Sequence, residues 1–114
     1  MRLRDKTTLK KIVSEINIGL EILADIPLEN FLDNETLKRA IAMTAINIGE
    51  LVKGLTDEFR RANSHVAWKE AAAFRDIVAH KYETLKMTVV YDTFKHDFPE
   101  FKSQIEQILA ADES

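Results

Sequence analysis

The chain has 114 residues, enough for one domain with its own hydrophobic core, and its three Gly and two Pro favour long helices over a sandwich or barrel. It has no Cys, which removes a disulfide framework, a thiol nucleophile and a Cys-based zinc site. A net charge of −3 argues against a general nucleic-acid coat protein, which needs a broad basic face, but leaves room for an enzyme with a local positive cleft.

In chain order, a first helix is predicted from Lys6 to Ile26, where Leu9, Ile12, Val13, Ile16, Leu20 and Leu23 recur at helical spacing. Ile18 and Ile22 add a second apolar edge, and Pro27 stops the helix. Leu28 to Asn34 reads as a loop ending in Asp33-Asn34, which suits an N-cap. A second helix spans Glu35 to Leu55, with Leu37, Ile41, Thr44, Ile48, Leu51 and Leu55 on one stripe widened by Ala42, Met43 and Ile46. Gly54 or Thr56 ends it, and Thr56-Asp57-Glu58 starts a short turn through Arg61. Asn63-Ser64-His65 is a loop with Ser64 placed to cap the third helix, Trp68 to Lys81. The run Ala71-Ala72-Ala73 narrows that helix, so another can approach it closely. A fourth helix covers Leu85 to His96 with Met87, Val90, Tyr91 and Phe94 inward, and Pro99 fits the first turn of a last helix reaching Ala111.

The fold class is therefore all-α: an up-and-down bundle of four to five helices in a single domain over residues 1–114. The apolar surface of the first two helices exceeds what one such core needs. A homodimer would use the surplus, and so would a compact five-helix monomer. No apolar run approaches the ~20 residues of a membrane span, and the charged start Met1 to Lys6 lacks a signal-type apolar region. The expected location is the cytoplasm. His65, His80 and His96 lie far apart with no HExxH spacing, so no metal or other cofactor is expected.

The segment Phe74-Arg75-Asp76-Ile77-Val78-Ala79-His80-Lys81-Tyr82 carries the chemistry. Arg supplies a permanent positive charge for a phosphate, and His gains and loses a proton near neutral pH. Arg75 and Tyr82 share a helical face, whereas His80 lies about 140° around from Arg75. A loosened last turn or a second subunit would be needed to bring the two together. Asp76, four residues before His80, is within reach of its ring. Taken alone, the segment also fits a bland reading: Arg75 in ordinary ion pairs, His80 favoured at a helix C-terminus and Tyr82 as amphipathic core.

Together with Ile48-Gly49-Glu50-Leu51 and Val66-Ala67-Trp68, this segment resembles the HepT-type HEPN domains, the toxin side of HEPN/MNT toxin–antitoxin pairs. The resemblance runs from the first helix to about Leu109. It departs at Asp76, where the family commonly has Asn, and the extra negative charge partly offsets Arg75. It implies a metal-independent endoribonuclease, usually a homodimer with two motifs facing one another. On that pattern His80 is the general acid or base for 2′-hydroxyl attack on RNA, Arg75 stabilises the phosphorane, and Asp76 orients His80 or contacts the RNA. Tyr82 is the position at which a partner MNT-type nucleotidyltransferase attaches AMP. The resemblance also admits a second role, a non-catalytic nucleotide-binding or scaffold partner of that nucleotidyltransferase. Glu50 is expected to be a buried acid paired with a basic residue of a neighbouring helix, Gly49 to permit close helix contact and Trp68 to anchor the core. His65, His96, Lys10-Lys11 and Arg60-Arg61 read as loop or solvated surface.

Overall fold

The structure is a computed structural model that describes residues 1–113, and all regular elements among them are helical. They are α1 (Leu3–Leu23), α2 (Leu28–Leu32), α3 (Glu35–Lys53), α4 (Asp57–Ala62), α5 (Trp68–Lys81), α6 (Met87–Asp92), a π-helical turn (Thr93–Asp97) and α7 (Phe98–Glu113). The bundle is built from four rods: α1, α3, α5, and α6 continued through the π turn into α7. The short α2 and α4 lie in the connections. Helix α3 is central, packed on α1 along one side and on α5 along the other, and α1 also reaches α7 and the π turn.

Local chemistry sets most boundaries. Asn34 caps α3 by accepting from the Leu37 amide at 3.0 Å, and Thr56 caps α4 by accepting from the Phe59 amide at 3.2 Å. Thr56 is itself held from a distance. Its amide donates to Asp5 Oδ1 at 2.9 Å and its hydroxyl to Asp5 Oδ2 at 2.7 Å, with Asp5 only 1% exposed. The first turn of α1 is thereby pinned to the start of α4. Ser64 makes no cap, because α5 begins after Ala67 without a side-chain hydrogen bond. The expected loop 28–34 contains one helical turn, which buries Phe31 against the Tyr91 ring at 5.3 Å. α1 ends at Leu23 rather than Ile26, with Ala24 at φ 42°.

The two helices expected on either side of Pro99 form one continuous rod. Proline has no N–H to give and its ring collides with the carbonyl four residues back, here that of Lys95. The chain resolves the conflict by widening just before it: the Phe98 amide donates to Thr93 O, five residues back. The widened turn buries Phe94 against Gly19 of α1, where an added Cβ would come within 2.3 Å of the ring.

The core follows the predicted stripes at Leu9, Ile12, Ile16 and Leu23 of α1 and at Ile41 and Ile48 of α3, all 0% exposed. Val52, outside the predicted stripe, is also 0% exposed, whereas Leu37 and Leu51 are only partly buried. Burial of each such side chain contributes about 1.5–3 kcal/mol before entropy is counted. Trp68 anchors the start of α5, 5% exposed, with Nε1 donating to Asn63 O at 3.0 Å and the ring edge-on to Phe101 at 5.5 Å. Part of the apolar surplus stays outside: Ile18, Met43 and Ile77 are 42%, 57% and 44% exposed. No helix among the described residues is long and apolar enough to cross a membrane.

Candidate active site

Helices α3 and α5 run antiparallel, since Tyr82 at the end of α5 meets Glu35 at the start of α3. Their backbones approach most closely at Gly49. A Cβ there would lie 2.0 Å from Arg75 Cβ and 3.2 Å from Ala71 O. Here glycine provides space rather than unusual backbone angles, and Ala71 supplies the narrow waist on the facing helix.

That contact seats Arg75 on α3. Its Nε lies 2.6 Å from Glu50 Oε1, close enough for an ion pair, yet the oxygen is off the N–H axis and the buried Nε–H has no acceptor. Its Nη1 donates to Asp76 Oδ1 at 3.1 Å, and Nη2 makes no hydrogen bond or ion pair among the described residues. The same Asp76 oxygen accepts from Lys53 Nζ at 2.6 Å. Glu50 and Lys53, one turn apart on α3, thus form with Arg75 and Asp76 of α5 a chain of alternating charge. Lys53, and then Arg75, hold the Asp76 carboxyl below its ordinary value by hydrogen bonding to its ionised form.

His80 belongs to none of this. It is exposed, and among the described residues it makes no hydrogen bond or ion pair. Asp76, expected within reach of the ring, is turned to Lys53 and Arg75 instead. Two full cations outcompete one imidazole for a carboxylate. Arg75 points to α3 and His80 to solvent, as their angular separation on the helix requires, so one protomer does not bring them together.

Tyr82 sits half-buried beyond the end of α5, its hydroxyl donating to Glu35 Oε1 at 3.3 Å and its ring 5.5 Å from the Arg39 guanidinium. Partial burial, followed by the charge of Glu35, pushes the phenol above its ordinary value. Glu35 in turn is lowered, first by its hydrogen bond with Lys38.

Glu50, Gly49 and Trp68 occupy the roles their neighbours in sequence suggested, although Glu50 is half-exposed rather than buried. His65, His96, Lys10, Lys11 and Arg61 are on the surface, and Arg60 pairs with Asp57. Lys53 had no advance signal beyond following Glu50 by three residues. A cavity of about 500 Å3 between α5 and the π turn, lined by His65, Glu70, Phe74 and Asp97 among others, includes none of Arg75, Asp76, His80 and Tyr82. No group of three or more His, Asp or Glu side chains able to hold a metal ion occurs among the described residues.

A guanidinium held against α3 with its Nη2 unpaired among the described residues, and an exposed imidazole elsewhere around α5, are groups able to hold an oxyanion and to move a proton once they are brought together. The comparisons agree in kind. The family model described as Ribonuclease HepT-like matches residues 9–108. A protein of Caldanaerobacter subterraneus subsp. tengcongensis that carries a provisional RNase name is 35% identical over 101 residues, spanning 89% of this chain and 90% of its own. A similarly named protein of Methanocaldococcus jannaschii is 31% identical over 104 residues, 91% of this chain and 90% of its own. The "Probable ribonuclease HepT" of Thermococcus cleftensis is 29% identical over 108 residues, 95% of this chain and 98% of its own. No solved structure matches the chain. With the family model covering all but the two ends, this chain belongs to the HepT-like ribonuclease family.

Proposed function

We propose that this ribonuclease is the toxin of a HEPN/MNT toxin–antitoxin pair, cutting RNA without a metal ion through Arg75 and His80. The His80 imidazole accepts the proton of a ribose 2′-hydroxyl, and the 2′-oxygen attacks the neighbouring phosphorus. Charge building on the equatorial oxygens is taken up by Arg75 through Nη2. The P–O5′ bond breaks, and the departing oxygen receives a proton from an imidazolium, leaving a 2′,3′-cyclic phosphate and a 5′-hydroxyl. Asp76 fixes the guanidinium rather than the imidazole.

A homodimer supplies the missing convergence, with Arg75 of one protomer facing His80 of the other. The exposed side of α5 suits such a contact: Ala73 and Ile77 lie on the same side as His80, and Met43 is exposed on the neighbouring α3. Silencing falls to a nucleotidyltransferase that attaches AMP to Tyr82. The added phosphate stands near the end of α5 and repels RNA.

The observation that carries the reading is Arg75 itself, anchored at the Gly49 notch by Glu50 and Asp76 with its Nη2 unpaired among the described residues. The test is incubation of the protein with RNA in EDTA beside His80→Ala and Arg75→Ala. Wild type alone should cut, and a 2′-deoxy substitution at the scissile nucleotide should abolish cutting. RNA left intact by wild type would favour the second reading, a non-catalytic binding partner of the nucleotidyltransferase. The flanking of Arg75 by two carboxylates, Glu50 and Asp76, is the observation on its side.

A further inference from the structure

We infer that Lys53 is the second phosphate-binding residue of this site, an assignment that rests on the RNA-directed reading of Arg75. The three groups Glu50, Arg75 and Asp76 sum to one negative charge, so an approaching phosphodiester would meet net repulsion at the guanidinium meant to hold it. Lys53 removes that deficit. Its Nζ sits on the Asp76 oxygen that also accepts from Arg75, which makes the four-membered cluster neutral and links the two cations through one atom.

The ammonium has three donors, and Asp76 occupies one. The side chain is 38% exposed and its only partner among the described residues is Asp76, so the remaining protons face solvent. Position agrees with this assignment. Asp76 and His80 are four residues apart and only about 40° around the helix, so Lys53 stands over the side of α5 on which His80 emerges. A phosphate bridging Arg75 Nη2 and Lys53 Nζ therefore enters from the His80 side. A plain surface ion pair in the last turn of α3 would explain the contact with Asp76. It would not make RNA affinity depend on Lys53.

The experiment compares wild type with Lys53→Met, Lys53→Arg, Asp76→Asn and the Lys53→Met/Asp76→Asn pair. Two readouts are taken: cleavage of an RNA oligonucleotide, and binding of its uncleavable 2′-O-methyl form across a salt series. Lys53→Met should weaken binding and raise KM about tenfold at low salt, leave kcat within about twofold, and reduce the salt slope by about one. Lys53→Arg should keep most of the affinity. Asp76→Asn should recover only part of the affinity lost in Lys53→Met, because it removes the uncompensated carboxylate but not the missing ammonium–phosphate contact, whereas a lysine that serves only to neutralise Asp76 would be rescued in full. Equal melting temperatures exclude misfolding. Unchanged affinity and salt slope in Lys53→Met, or a paired variant with wild-type affinity and salt slope, overturns the assignment. Lys53-dependent binding by a wild type that never cuts would sustain it while sinking the cleavage reading above.

Discussion

Gly49 and Arg75 are in such close contact that a methyl group on the glycine would lie 2.0 Å from Arg75 Cβ and 2.7 Å from its Cγ. Neither atom is the free end of a flexible side chain, so α3 and α5 would have to part. Gly49→Ala gains about 1 kcal/mol of helix propensity. Overpacking costs about 1–3 kcal/mol, and at this distance the upper part of that range applies, so the clash wins. The variant should melt lower by about 1–2 kcal/mol of stability. Its ribonuclease activity should fall much further than its stability, because Glu50 and Lys53 move with α3. Thermal melts and cleavage rates measured side by side check this. An unchanged melt with full activity would show that the helices do not meet as described.

Asp5 is the one buried carboxylate of the described residues, and both of its oxygens accept from Thr56. Asp5→Ala leaves the Thr56 amide and hydroxyl without partners and loosens the start of α4. The expected loss is about 2–3 kcal/mol, from two hydrogen bonds to a charged acceptor less the gain from no longer burying it. Chemical denaturation should report it as a lower midpoint with an unchanged slope.

Asp76 links pH to stability with a definite sign. Its folded value is depressed, first by Lys53 and then by Arg75, so its contribution is present above the ordinary carboxylate range and lost as pH falls through the depressed value. The melting temperatures of wild type and Asp76→Asn should differ near neutral pH and converge as the pH falls through the depressed Asp76 value. The difference should be small, since the carboxyl is solvent-screened. Added salt should shrink it further. A gap that widens on acidification would contradict the assigned ion pairs.

Tyr82 should titrate above the usual phenol range in a spectroscopic pH titration, because burial disfavours the phenolate and Glu35 repels it. Glu35→Gln should bring the midpoint down only in part, as burial remains the larger cause. Tyr82→Phe removes one exposed 3.3 Å hydrogen bond and should change stability by less than about 1 kcal/mol. It should also leave no hydroxyl for a co-expressed nucleotidyltransferase to modify, which mass spectrometry reads directly. An AMP adduct on the Phe variant would place the modification elsewhere.

Much of this was legible in the chain beforehand, for local reasons. The apolar residues of α1 and α3 recur at helical spacing, and Asn34 and Thr56 are capping residue types followed by helix formers. The long rods therefore appear where periodicity puts them. The misses have equally specific causes. A single helical turn in 28–32 is too short to leave a periodic signal, and it exists because Phe31 finds the Tyr91 ring. Ser64 looks like a cap but stands too far ahead of Trp68. Pro99 reads as a helix start, whereas the fold continues through it by widening one turn.

Periodicity and residue type determined the helical class and much of the buried stripes, because each depends on neighbours a few positions away along one helix. The family showed only as a resemblance carried by Gly49-Glu50, Trp68 and the Arg75–Tyr82 segment together. Only tertiary packing decided the partners. Asp76 turned from His80 to Lys53, 23 residues away, and Arg75 came to rest against Glu50 over the Gly49 notch. Charged side chains choose among all groups that the packed helices bring within a few ångströms. Which groups those are is set by how α3 lies against α5, and no stretch of either helix encodes it alone.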